Sequence, residues 1–308
     1  MDEKEQGIVM ATRGRRFEVL ASDRSRIQCE VLKKVKFDTQ LETPVAVGDQ
    51  VEFMRSGDGS GAIEKVLERR TCFMRPEVDT HGRKQVIAAN LDQLVIVSAV
   101  KSPKLKTGLI DRFIVAAQIG SLSPVVVMNK ADLLDDGETA GYAAAYNTIG
   151  IPTFLVSAEC GTNLDALRAQ LVGKLSLFAG HSGVGKSTLL NALIPSLNIR
   201  THEVSTFTNR GQHTTTSIEL YELAGGGLIA DSPGLKVMGI WDTTADDLPH
   251  YFQEFRPLAG DCKFQPCSHI HEPHCAVKKA VEAGKIFRFR YDNYIAISES
   301  LEEGSERN

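Results

Sequence analysis

Residues 180–187 read Gly-His-Ser-Gly-Val-Gly-Lys-Ser, set between an apolar run, Leu-Ser-Leu-Phe-Ala, and a helical stretch, Ser-Thr-Leu-Leu-Asn-Ala-Leu-Ile. No other feature restricts the fold of the chain as tightly. The pattern G-x-x-x-x-G-K-[ST] between a strand and a helix implies a loop whose backbone N–H groups curl around phosphates, with the helix N-terminus adding positive potential. Ser182, Gly183, Val184, Gly185 and Thr188 are the expected phosphate contacts, Lys186 the neutralising charge and Ser187 a Mg²⁺ ligand. Such a loop belongs to an α/β domain, and the rhythm between residues 72 and 241 agrees. Apolar strands (LVIVSAV, PVVVMNK, TFLVSA, LSLFAG, SIELYEL, GGLIAD) alternate there with helical segments, as in a mainly parallel sheet.

The loop alone does not choose a base. Asn129-Lys130-Ala131-Asp132 follows the strand Pro-Val-Val-Val-Met, which places Asp132 at the carboxyl edge of the sheet. A carboxylate there accepts from guanine N1–H and the 2-amino group together, and adenine lacks that donor pair. A polar site left unpaired by the wrong base discriminates strongly. Ser157-Ala158 resembles the small-residue element whose backbone N–H meets guanine O6, although Ser-Ala pairs are common. Asp231-Ser232-Pro233-Gly234 fits a D-x-x-G element, with Asp231 reaching Mg²⁺ through water and the Gly234 N–H sensing the γ-phosphate. A lone tetrapeptide of this kind is more often a turn; its position after the phosphate loop gives it meaning.

Between them lies Arg210-Gly211-Gln212-His213-Thr214-Thr215-Thr216, a polar loop able to order around a γ-phosphate and relax after hydrolysis. One threonine of this loop is expected to ligate Mg²⁺, and spacing favours Thr215. Leu235 stands where several nucleotide hydrolases carry a water-orienting Gln, which leaves His213 as the substitute. An exposed loop histidine without a role accounts for His213 equally well.

Motif order is the informative part. Asn129 precedes Gly180 by 51 residues, and no second N-K-x-D follows Asp231. The usual order is reversed, so the sheet is expected to be circularly permuted, which preserves a site when the same strand ends meet the ligand.

Two further regions flank this domain. Residues 1–71 hold short strand-like segments separated by Gly, Asp, Ser and Arg turns, as in a small antiparallel barrel. An OB-fold is expected; an SH3-like barrel reads much the same. Residues 242–308 carry Cys262-x4-Cys267-x-His269-x5-Cys275, three thiols and an imidazole that suit a closed tetrahedral Zn²⁺ site. His271 or His274 in place of His269, or simply reduced buried cysteines, are the alternatives. Beyond them Lys278, Lys279, Lys285, Arg288 and Arg290 mix with Phe287, Phe289, Tyr291 and Tyr294. That composition suits RNA, and it suits equally an amphipathic helix covering its own domain.

Net charge is -4, and residues 1–70 balance 13 basic against 13 acidic residues, so any RNA-binding surface is local rather than global. The longest apolar runs are strand-sized and the start MDEKEQG does not resemble a signal peptide, so a cytoplasmic, non-membrane protein is expected; a monomer is expected as well.

With these residues assembled, the chain resembles the ribosome small subunit-dependent GTPase A family over nearly its whole length. A barrel, ANLDQLVIV, NKAD, VSA, GHSGVGKST, GQHTTT, DSPG and the Cys/His cluster with EPHCAV and RYDNY occur in that order. The resemblance implies a late-assembly factor that binds the small ribosomal subunit and its rRNA in the GTP form. It hydrolyses GTP to GDP on subunit contact and is then released. It implies an OB-fold N-terminal domain, a Zn-knuckle C-terminal domain and a histidine at the position of His213 that assists hydrolysis.

Overall fold

Alternation of buried and exposed residues builds the first unit. The computed structural model describes residues 4–32, 35, 44–56, 59–76, 84–134, 137–197, 199, 218–231 and 243–305. Strands β1 (Lys4–Arg13), β2 (Arg16–Ala21), β3 (Arg26–Val31), β4 (Gln50–Arg55) and β5 (Ser60–Val66) close into a barrel in the order β1-β2-β3-β5-β4. Every second side chain points inward, so Phe17, Val19 and Ala21 of β2 meet Ile27, Cys29, Val51 and Phe53 in one core. β3 runs parallel to β5, with Gln28 opposite Ser60 and Val31 opposite Ile63. This exchange of the last two strands is the OB arrangement, and a simple SH3-like meander does not make it.

A hairpin of β6 (Cys72–Pro76) and β7 (Lys84–Ala89) follows, which the sequence pattern does not announce. The central domain then runs β8 (Gln93–Ala99), α1 (Thr107–Ile119), β9 (Ser123–Asn129), α2 (Gly137–Thr148), β10 (Thr153–Leu155), α3 (Leu164–Leu171), β11 (Leu175–Gly180), α4 (Lys186–Leu193), β12 (Leu220–Glu222) and β13 (Leu228–Asp231). The strands lie in the order β10-β9-β8-β11-β13-β12, all parallel to their neighbours except β12, which is antiparallel to β13. Both faces are covered. Leu94 and Ile96 of β8 pack with Ile110, Phe113 and Ile114 of α1, while Val95 and Val97 point to the opposite layer with Leu167 of α3 and Leu189 and Leu190 of α4. Burial on both sides explains why β8, β9 and β11 read as continuous apolar runs rather than alternating ones.

The chain ends in a domain of short 3-10 turns, α5 (Ala276–Glu282) and α6 (Arg288–Ser305). α6 lies against α1, and Arg290 fixes the contact. Its guanidinium is buried between Asp111 of α1, at 2.5 Å, and Glu254, at 2.8 Å. Tyr291 and Tyr294 are buried too, and Phe289 packs edge-on to Tyr142 and Tyr146 of α2. The mixed basic and aromatic tail therefore covers its own protein for these residues, and the RNA reading of them does not hold. On the other side, the barrel touches the central domain where Glu219 bridges Ala11 and where Arg26 pairs with Glu222 at 3.2 Å. Among the described residues no helix is long and apolar enough to cross a membrane.

Candidate functional site

The carboxyl ends of the parallel strands converge on one edge of the sheet, the place where open α/β sheets hold ligands. β11 delivers Gly180 and the loop to Lys186, β9 delivers Asn129 to Asp132, β10 leads to Ser157-Ala158, and β13 ends on Asp231. Permutation has changed the order in which the chain visits these ends and not the ends themselves.

Within the phosphate loop, Gly185 has φ +85°, a left-handed conformation that side chains disfavour, and a Cβ there would lie 2.4 Å from Asn129 Nδ2. Gly180 is equally constrained, since its Cβ would fall 2.3 Å from the Val97 carbonyl oxygen of β8. Both glycines are required by close packing of backbone against neighbour. No side chain caps α4, so its first N–H groups keep their capacity for an anion.

Asn129 joins the elements. Its Nδ2 donates to the Val184 carbonyl at 3.0 Å and its Oδ1 accepts from the Ala158 N–H at 3.1 Å. Lys130 adopts a left-handed conformation, and its ammonium donates to the Gly183 carbonyl at 2.8 Å and to the Ser102 carbonyl. The Ser157 hydroxyl donates to one oxygen of Asp132 and accepts from the Cys160 N–H at 3.1 Å. One side of Asp132 is thus fixed, leaving an exposed carboxylate at the edge. Lys186 and Asp231 form an ion pair across the floor of the site, both largely buried. Of the sequence-predicted residues, Ser182, Ser187 and Thr188 lie on this loop and the first turn of α4. His213, Thr215 and Gly234 lie outside the described residues.

A second cluster sits in the C-terminal domain. The donor atoms of Cys262, Cys267, His269 and Cys275 all lie within 4.8 Å of one another. Cys262 Sγ is 3.6 Å from His269 Nδ1 and 3.9 Å from Cys275 Sγ, and His269 Nδ1 is 3.3 Å from Cys275 Sγ. Tetrahedral Zn²⁺ with Zn–S of about 2.3 Å and Zn–N of about 2.0 Å has ligand-to-ligand edges of about 3.5–3.8 Å, so the set fits. Burial and the neighbouring thiols push the Cys267 thiol up to about 12, and the Cys275 thiol rises for the same reasons. Burial lowers His269, keeping the imidazole neutral as a ligand must be. His271 and His274 are not part of the cluster.

The RsgA GTPase family matches residues 66–241. The chain is 38% identical over 306 residues to "Small ribosomal subunit biogenesis GTPase RsgA 2" of Bacteroides thetaiotaomicron, covering 98% of this chain and 99% of that protein. This chain belongs to the RsgA GTPase family. It is also 38% identical to "Small ribosomal subunit biogenesis GTPase RsgA" of Yersinia enterocolitica, over 100% of this chain and 88% of that one. Among solved structures, YjeQ from Thermotoga maritima superposes with a TM-score of 0.80 at 35% identity, covering 97% of this chain and 99% of that one. YloQ, described as a circularly permuted GTPase, superposes with a TM-score of 0.77 at 29% identity, covering 98% and 96%. As a member of the RsgA GTPase family, the chain is a GTP-hydrolysing enzyme with a circularly permuted nucleotide domain, and the family implies GTP, GDP and Mg²⁺ as its ligands.

Several positioning groups of this RsgA GTPase are absent from any motif. The Ser102 carbonyl holds Lys130, and the loop bearing the zinc-type ligands is held from α6. Tyr291 Oη donates to the His269 carbonyl at 2.7 Å, and Tyr294 Oη donates to that of Ser268. Although burial opposes it, two hydrogen bonds from Ser268 hold the Glu272 carboxyl down to about 2. The Ser102–Lys130, Tyr291–His269 and Tyr294–Ser268 partners are far apart in the sequence and leave no local signal.

Proposed function

We propose that this RsgA GTPase acts in assembly of the small ribosomal subunit, engaging its rRNA and leaving when GTP has been hydrolysed on the subunit. The observation that carries the reading is the guanine-type site built around Asn129 in a chain that matches, over its full length, proteins named for small-subunit biogenesis. A closed OB barrel on one side and a zinc-type domain on the other supply two modules of a kind that bind RNA.

In this reading Asp132 accepts from N1–H and the 2-amino group of guanine, and the Ala158 N–H, which Asn129 Oδ1 holds at the base edge, is shared with O6. Asn129, fixed between the two motifs, keeps both at the correct spacing. Ser182, Gly183, Val184, Gly185 and Thr188 contact phosphate, and Lys186 leaves Asp231 to neutralise the β and γ oxygens. Mg²⁺ would supply positive charge against the phosphate oxygens during transfer. Ser187, Thr215 and Asp231 would hold it, and Gly234 would sense the γ-phosphate. His213 orients the attacking water. Zn²⁺ at Cys262, Cys267, His269 and Cys275 has no open position and is structural.

The test is GTP turnover with and without purified small subunits, for the wild type and His213→Ala. Subunits accelerate the wild type and accelerate the variant far less, while both bind GDP equally. A wild type indifferent to small subunits sinks the proposal.

A further inference from the structure

Beside the nucleotide edge the structure holds a separate cavity of about 370 Å³, lined by Val100, Lys101, Ser102, Lys104, Leu133 and Leu134 among others. It opens where β8 ends and where the Asn129–Asp132 motif continues into Leu133-Leu134. Its floor is aliphatic. Leu133 is 42% exposed, one of few large apolar side chains so exposed among the described residues. Its rim is cationic: Lys101 and Lys104 line it and Lys106 follows on the same loop. Among the described residues neither Lys104 nor Lys106 has a carboxylate partner. The volume falls at the low end of the range for sites that hold small organic groups, about 300–1,000 Å³.

We infer that this cavity is a docking subsite for one unpaired nucleotide of an RNA strand, its base against Val100, Leu133 and Leu134 and its phosphate at the lysines. The inference rests on the RNA engagement proposed above. Single-stranded nucleic acid pairs a flat apolar base face with a phosphate, and here aliphatic side chains in place of aromatic ones meet the base while the lysines meet the phosphate. An acidic peptide carrying an apolar side chain is the competing occupant, and the experiment below separates the two.

The position gives the subsite a consequence. The Ser102 carbonyl accepts a hydrogen bond from Lys130, and the same ammonium donates to the Gly183 carbonyl of the phosphate loop at 2.8 Å. Lys130 is therefore the one-residue link between the loop that lines the cavity and the loop that holds phosphate. A nucleotide that fixes residues 100–106 also fixes Lys130, so RNA and guanine nucleotide strengthen each other's binding. By linkage the effect is equal in both directions.

The experiment uses the full-length protein and a six-residue oligouridylate carrying a single 4-thiouridine, photo-crosslinked and mapped by mass spectrometry. Affinity is measured across a salt titration, with GDP and a non-hydrolysable GTP analogue, for wild type, Lys104→Glu and Leu133→Ser. The expected crosslinks fall within residues 100–106 or 133–139. Leu133→Ser weakens the oligomer by about 5-fold or more, and Lys104→Glu lowers the log–log salt slope by about 0.7. Both variants keep wild-type GDP affinity and circular dichroism, and lose the mutual enhancement between oligomer and nucleotide.

Crosslinks confined to the barrel or the C-terminal domain, with both variants binding like wild type, overturn the subsite and leave RNA engagement standing. Absence of oligomer binding anywhere removes both. Uridine monophosphate binding as tightly as the oligomer rejects the assignment to an RNA strand. An acidic peptide that outcompetes the oligomer here and fails on both variants also rejects it, in favour of a protein partner.

Discussion

Asn129 and Val184 are 55 residues apart in the chain and are joined by a 3.0 Å hydrogen bond from the Asn129 amide to the Val184 carbonyl. The other end of the same amide accepts from Ala158 at 3.1 Å. One side chain thus sets the spacing between the base-reading motif, the phosphate loop and the Ser157-Ala158 element. In the permuted chain the phosphate loop follows the other two segments instead of preceding them, and the amide provides a direct restraint between the three.

Asn129→Ala removes both bonds and leaves the buried Val184 carbonyl and the Ala158 N–H unsatisfied, at about 1–3 kcal/mol for each group. GDP and GTP affinity is expected to fall at least tenfold, and the melting temperature to fall with it. Fluorescence titration with a labelled GDP and a thermal melt measure the two. An unchanged dissociation constant would show that the bridge stabilises the fold without organising the site.

Asp132 carries the choice of base, and one of its oxygens already accepts from the Ser157 hydroxyl. Asp132→Asn places an amide donor against the guanine donor pair, so GDP affinity is expected to drop by about 10²-fold or more. Xanthine replaces the 2-amino group with an oxygen acceptor and keeps N1–H, which matches an Asn. Xanthosine diphosphate should therefore bind the variant better than GDP does, a reversal readable by competition. Loss of both nucleotides alike would place the effect in folding instead.

What sequence could say about this protein follows from where its partners lie. The phosphate loop, the Asn129–Asp132 motif and the barrel strands are local patterns, and β1 to β5 fall where alternation puts them. The β6–β7 hairpin escaped notice because its first strand ends in Pro76 and its register shifts between Phe73 and Met74, which breaks the alternation that marks a strand. The tail stayed open between two readings for a different reason. Arg and Tyr on a helix look the same whether they face RNA or a carboxylate from another domain, and Arg290 finds Asp111 and Glu254 only once the chain has folded. Lys130 is similar: its motif is legible, but its tie to Ser102 is a product of packing.

The Cys262, Cys267, His269 and Cys275 cluster predicts one Zn²⁺ per chain, measurable by metal analysis of the purified protein. Chelation, or Cys275→Ser, is expected to release it and expose residues 256–276 to protease. Without the ion the buried thiols and imidazole lose the charge that organises them, and structural zinc in small domains contributes folding energy directly. GDP affinity should persist, because the nucleotide side chains sit on β9, β11, α4 and β13 and none on this domain. Purified protein with no zinc and an undisturbed C-terminal domain would refute the assignment.

Arg290 is the anchor of that domain on the GTPase core. Its guanidinium reaches Asp111 at 2.5 Å and makes two hydrogen bonds to Glu254, at 2.8 and 3.3 Å, while its plane lies 4.5 Å from the Phe252 ring centroid. Asp111 also accepts from Tyr146 at 2.7 Å and from Asn293 at 2.6 Å, so α1, α2 and α6 share one buried network. Arg290→Met fills most of the volume but leaves two buried carboxylates facing each other without a counter-charge. Breaking a buried pair in this way costs about 3–5 kcal/mol. Arg290→Lys should recover little, because an ammonium cannot serve both carboxylates with the fork geometry or stack on Phe252. Adding Asp111→Asn and Glu254→Gln to Arg290→Met removes the orphaned charges and should restore a large part of the loss. Denaturant unfolding of the wild type, the two single variants and the triple variant checks all three steps. If the triple variant is no more stable than Arg290→Met, the cost lies in packing around Phe252 and not in the stranded carboxylates.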